Sequence, residues 1–192
     1  ISFILHKAKI KENCNLKLLV IISNYQISKM MKNTVVPEEK LSSYIMKSNR
    51  LNISDFKSQT RIALLSNFTL DGLIETIKVK CGELKVGCYT FYGGYNQYNA
   101  EILNNKSNLY SFSPDICFLI LDIRNILGDL FYSPYNLSVE KRKEFIQNKV
   151  DELVDLAKLF IEKSNSKLVI SNFIIPIYSP YGIFESKANY GL

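Results

Sequence analysis

Two rhythms of apolar and polar positions alternate along this chain: short runs of β-forming residues closed by small polar ones, and longer stretches in which apolar residues return every three or four positions. Arg61 to Leu65 is a run of the first kind, closed by Ser66-Asn67. Thr69 then stands where a helix N-cap belongs, ahead of Leu70, Leu73, Ile74 and Ile77 at helical spacing. This predicts a strand-turn-helix unit. Gly82 is expected to stop that helix, and Lys85 to Phe91, with Val86, Tyr89, Thr90 and Phe91, predicts a second strand. Pro114-Asp115 introduces a third, Ile116 to Leu121, whose lack of polar members predicts burial on both faces. Ser138 is expected to cap a long helix with Ile146, Val150, Leu153, Val154, Ala157, Phe160 and Ile161 on one apolar stripe, and Lys167 to Ile170 predicts the fourth strand.

Outside this core the pattern weakens. Leu16 to Ile22 is one strand-like run, and Pro37 to Lys40 opens a helix through Leu41, Tyr44, Ile45 and Lys47 whose charges suit an arm or an outer layer. Gly128 to Asn136 reads as an aromatic and proline-rich loop able to fold over a crevice, and the chain from Pro176 onward reads as loop. The division that follows is an N-terminal arm, partly helical, over 1–56 and an α/β domain over 57–192, with one more strand and helix expected beyond Leu192. Whether the residues before Met30 belong to the natural domain is left open by the start at Ile1 and by Met30-Met31.

Strands alternating with helical crossovers predict a mostly parallel, three-layer α/β sheet. In such sheets ligands sit outside the carboxyl ends of the strands. Ser66-Asn67, Gly93 to Gln97, Asp122 to Asn125 and Asn172 all fall there, so one crevice is expected to gather them. Gly93-Gly94 allows close backbone approach, and Asn96 and Gln97 offer neutral hydrogen-bonding groups. The same glycines equally suit a plain turn into a short helix, and they match neither a P-loop nor a dinucleotide fingerprint. Asp122, Arg124 and Asn125 either bind a polar ligand or pair among themselves.

Composition narrows the function classes. A net charge of +6 and a pI near 9.0 allow an anionic partner, but the lysines are scattered and no basic stripe is interleaved with aromatics, so nucleic acid is not expected. Cys14, Cys81, Cys88 and Cys117 lack paired spacing, and His6 is the single histidine. The thiols are therefore expected to be reduced and mostly buried in a cytoplasmic protein, with no zinc site. No apolar run approaches the roughly 20 residues of a membrane span.

Three segments carry a family likeness: RIALLSNFTLDGL, FYGGYNQYNAEILNNKSNLYSFSPDICFLILDIRNILGDLFYSPY and KLVISNFIIPIYSPYGIFE. In this order, over residues 57–192, the chain resembles the N-terminal domain of FkbH-like proteins of the haloacid dehalogenase (HAD) superfamily, subfamily IIIC. The resemblance implies a flavodoxin-like fold of the SGNH hydrolase type. It also implies a following HAD domain, with an Asp-x-Asp motif and Mg2+, in proteins some of which dephosphorylate a glyceryl phosphate unit and load it onto an acyl carrier protein. Asp122-Ile123-Arg124-Asn125 lacks the second aspartate of that motif, so no cofactor is expected in this chain.

An SGNH esterase needs a Gly-Asp-Ser nucleophile and a late Asp-x-x-His pair. Aligning Leu65-Ser66-Asn67-Phe68-Thr69 with that motif places Asn67 at the nucleophile, or Phe68 in the neighbouring register, and Ser66 in neither. The resemblance implies that Gly94 and Asn125 match the oxyanion-hole glycine and asparagine of the hydrolases. The expected function is a non-catalytic or degenerate SGNH-like domain that binds a carrier protein, a substrate or the adjacent HAD domain through Asn67, Gly94, Asn96, Gln97, Asp122 and Asn125. The alternatives are a divergent esterase or acyltransferase using Ser66 and a structural spacer.

Overall fold

The computed structural model describes residues 39–173. The run Leu16 to Ile22, His6, Cys14, Pro37 and the segment from Pro176 lie outside the described residues. The four core strands expected from the sequence are present as β1 (Ser58–Ser66), β2 (Val86–Tyr95), β3 (Ile116–Ile120) and β4 (Lys167–Ile170). They form one parallel sheet in the order β2-β1-β3-β4. The helices are α1 (Leu41–Arg50), α2 (Leu73–Glu83), α3 (Tyr98–Leu103), α4 (Asn108–Phe112), α5 (Ile123–Leu127), α6 (Asp129–Tyr132) and α7 (Val139–Lys163), with single 3-10 turns at Ile53–Asp55 and Pro134–Asn136.

The two-residue period of β1 builds the three layers. Ala63 and Leu65 join Cys117, Leu119 and Leu168 on one face, covered by Ile102 of α3, Leu109 of α4, and Ala157 and Phe160 of α7. Ile62 and Leu64 join Cys88 on the other face, covered by Leu70 and by Leu73, Ile74, Ile77 and Cys81 of α2. A strand buried on both faces has no room for polar side chains, which is why the interior of β1 reads Ile-Ala-Leu-Leu. The architecture is the three-layer, flavodoxin-like arrangement expected. The helix foreseen in the arm, α1, lies in the outer layer, where its Leu41 side chain fills the space a Cβ on Gly72 would need.

Several local expectations are corrected. Thr69 does not cap α2; it is exposed, and the chain turns once more before Gly72, at φ 80°, precedes the helix. Gly82 does not stop α2, which continues to Glu83; the left-handed residue is Lys85 at φ 61°, whose N–H reaches the Gly82 carbonyl at 2.9 Å. β2 runs on through Gly93-Gly94 to Tyr95, and the loop foreseen at Gly128 to Asn136 is largely α6 and a 3-10 turn. Ser138 caps α7 as expected, accepting from the Lys141 N–H at 3.4 Å. The stripe of α7 packs on the core through its second half, while Arg142, part of the basic run near its start, is 6% exposed.

Candidate functional site

Three of the four carboxyl-end segments are joined by hydrogen bonds. β1 ends at Ser66, and Asn67 turns inward, only 2% exposed. Its Nδ2 donates to the Asp122 carbonyl at 3.0 Å and its Oδ1 accepts from the Asp122 N–H at 2.8 Å. Asn125 Nδ2 donates to the Asn67 carbonyl at 2.8 Å. From the β2 side, the Asn96 N–H donates to the Ser66 carbonyl at 3.1 Å. The ends of β1, β2 and β3 therefore form one rim.

The glycine pair enters this rim through a β-bulge. Leu64 pairs with Tyr92 and Ser66 with Tyr95, so Leu65 faces both Gly93 and Gly94. Gly94 adopts φ 80° and Asn96 φ 54°, a left-handed conformation open to glycine and tolerated by asparagine. A Cβ on Gly93 would lie 2.6 Å from Leu65 Cδ2, whereas one on Gly94 would meet only Gln97 Cγ at 3.6 Å. Gly93 is thus required by packing and Gly94 by backbone conformation. Gln97 precedes α3, and Asn96, Gln97 and Asn125 are exposed.

Asp122 and Arg124 realise the internal pairing foreseen as one option. Asp122 caps α5 by accepting from the Arg124 N–H at 2.9 Å, and Arg124 Nε lies 3.0 Å from both carboxylate oxygens. The hydrogen bonds from the Arg124 guanidinium hold the Asp122 carboxyl below its usual range. The pair brings the rim an ionised carboxylate already matched by a cation.

Ser66 is fully buried, and its hydroxyl donates to the Phe68 carbonyl, which also accepts from Tyr92 Oη at 3.4 Å. Asn67, expected to face a ligand, instead spends its amide on holding the rim together. The buried state of both follows from the polar turn folding back over the sheet, which a one-dimensional pattern does not register. At the fourth strand, the Leu121 N–H donates to Ser171 Oγ at 3.3 Å, and Asn172 is exposed. Ser171 is a rim residue that the sequence expectation, centred on Asn172, does not name; the ending Ser171-Asn172-Phe173, which repeats Ser66-Asn67-Phe68, is its sequence signal.

The Asp122 carboxylate is engaged by Arg124, and no group of three His, Cys, Asp or Glu side chains that could hold a metal ion occurs among the described residues. The rim residues do not fit a Mg2+ centre. No helix among the described residues is long and apolar enough to cross a membrane.

No protein-family model matches the chain, and no curated protein matches it. A solved structure does: the N-terminal part of the protein BF1531 from Bacteroides fragilis, containing a phosphatase domain and complexed with Mg, superposes with a TM-score of 0.61 at 16% identity, over 78% of this chain and 37% of that one. The likeness establishes the fold. This chain thus spans about 37% of the length of that neighbour.

Proposed function

We propose that the chain is a non-catalytic, SGNH-like binding domain of an FkbH-like protein, whose rim engages an acyl carrier protein, its tethered substrate or an adjacent HAD domain. The observation that carries this reading is the use of Ser66 and Asn67 in the fold. The one hydroxyl at the end of β1 is buried and donating to Phe68, and the residue aligned with a hydrolase nucleophile is an amide clamped to Asp122. A serine attacks only when a base within hydrogen-bond reach takes its proton. Here that proton is directed at a main-chain carbonyl.

What remains outward on the rim is neutral: the Asn96, Gln97 and Asn125 side chains beside the Gly94 bulge, with Asp122 paired to Arg124. Such groups suit amide and carbonyl partners of the kind found in a carrier protein's prosthetic arm. Mg2+ and the phosphatase chemistry of the family would reside in a HAD domain, a domain type compatible with the phosphatase domain of the Bacteroides fragilis neighbour.

Titrating a holo acyl carrier protein against the wild-type chain, Asn96→Ala and Gln97→Ala tests the reading. Saturable binding that weakens several-fold in either variant is expected, while binding equal in all three, or none, returns the domain to a spacer. Hydrolysis of nitrophenyl acetate by the wild type that disappears in Ser66→Ala would assign it to the esterases instead.

A further inference from the structure

At the end of the sheet opposite the rim, α2 reverses into β2 through residues 82–87, with a cysteine on either side of the turn. The sheet-facing stripe of α2 is Ile74, Ile77 and Cys81, at helical spacing, and it packs on a cluster that contains Cys88. Cys81 is the last member of that stripe, and Cys88 is the first core residue that β2 contributes to the same layer. The short reversal therefore brings both thiols into one cluster, where the Cys88 thiol donates to the Tyr89 carbonyl at 3.6 Å.

Their environments are unequal. Cys88 is 2% exposed, whereas Cys81 is half-buried and reaches solvent from the end of the helix. Burial, reinforced by the neighbouring Cys81, pushes the Cys88 thiol up to about 12. A cavity of about 50 Å³ adjoins Cys88, walled by Ser48, Leu51, Ile53 and Lys78. Cys117 is a contrast: it is fully buried in the other layer, in a cluster with no second cysteine.

We propose that Cys81 and Cys88 form an oxidisable dithiol, closed by a hydroperoxide into a disulfide that ties the end of α2 to the start of β2. The Cys81 thiolate attacks one peroxide oxygen and the O–O bond breaks. With hydrogen peroxide the departing hydroxide takes a proton as water, and Cys81 becomes a sulfenic acid. The Cys88 sulfur then displaces hydroxide from the Cys81 sulfur. The S–O bond breaks as the S–S bond forms, and the Cys88 proton leaves with that hydroxide as a second water. Two thiols and one peroxide give one disulfide and two waters.

The test is to expose the folded full chain to hydrogen peroxide, block remaining thiols with iodoacetamide under denaturing conditions, and map trypsin fragments by mass spectrometry. Cleavage after Lys80, Lys85 and Lys106 separates the two cysteines onto fragments 81–85 and 86–106. The expected result is a cross-linked pair of these fragments, lighter by two hydrogens, that reverts with dithiothreitol. Linkage of either residue to Cys14 or Cys117, or Cys81 advancing to sulfinic acid while Cys88 is alkylated, overturns the proposal. Because the wild-type chain decides the outcome, misfolding of a variant cannot obscure it. Cys88→Ser adds a check: it should leave Cys81 as a sulfenic acid trapped by dimedone, and absence of that adduct in a folded variant also counts against the assignment.

Discussion

The side-chain amide of Asn67 holds the backbone of Asp122 from both sides, donating to its carbonyl and accepting from its N–H across 55 residues of sequence. An amide is the side chain suited to this, because it offers a donor and an acceptor on one rigid plane. The pair locks the end of β1 to the start of α5 and leaves Asn125 close enough to close a third hydrogen bond.

Asn67→Ala removes both partners of Asp122 at a buried position. Each buried main-chain group left unsatisfied costs about 1–3 kcal/mol, so a loss of about 2–4 kcal/mol is expected in urea unfolding. A loss below about 1 kcal/mol would mean that water or another side chain replaces the amide. Ser66→Ala, which removes one buried hydrogen bond to Phe68, should cost only about 1 kcal/mol.

The Asp122 carboxyl is held below its usual range, first by the side-chain hydrogen bonds from Arg124. A depressed folded value means that the unfolded chain takes up the proton first as pH falls. The stabilisation is therefore complete above the unfolded value near 3.8 and disappears as pH drops through the folded value. Asp122→Asn keeps the cap acceptor and removes the charge. The urea midpoints of wild type and Asn variant should differ by a constant amount near neutral pH and converge below about pH 3.8. Parallel curves down to the lowest pH would remove Asp122 as their cause.

Neighbouring glycines should fail for different reasons. Gly93→Ala drives a Cβ to 2.6 Å from Leu65 Cδ2, and Leu65 is fully buried. Overpacking of that kind costs about 1–3 kcal/mol. Gly94→Ala meets no close atom and carries only the left-handed penalty of about 1–2 kcal/mol, which Gly94→Asn should partly relieve. Thermal unfolding of the three variants distinguishes the cases. An equal loss in Gly94→Ala and Gly94→Asn would show that conformation is not what position 94 demands.

Among the described residues Phe160 is the largest fully buried side chain, and it joins α7 to Ala63, Cys117 and Leu168 across the sheet. Phe160→Ala is expected to cost about 3–5 kcal/mol. Phe145→Ala, on the less buried first half of the same helix, should cost clearly less. Equal losses would show that α7 packs uniformly along its length.

What the sequence determined by itself was the alternation of strands and helices. Burial on both faces excludes polar residues from Ile62 to Leu65, the run Ile116 to Leu121 is fully buried only at alternate positions with Phe118 and Ile120 half-buried, and a capped three-four stripe marks α7 without ambiguity. The convergence of Ser66, Asn96, Asp122 and Asn125 on one rim also followed, because parallel strands place all their carboxyl ends on the same side. Only the tertiary structure decided what each polar residue does there. Thr69 and Gly82 carry the usual signals of a helix start and stop, yet Gly72 and Lys85 occupy the left-handed positions, because packing of α1 and the reversal into β2 set the backbone. Whether an asparagine meets a ligand or a main-chain amide depends on what lies opposite it. For Asn67 the opposite group is Asp122, distant in sequence and brought within hydrogen-bond reach only when β1 and β3 pair.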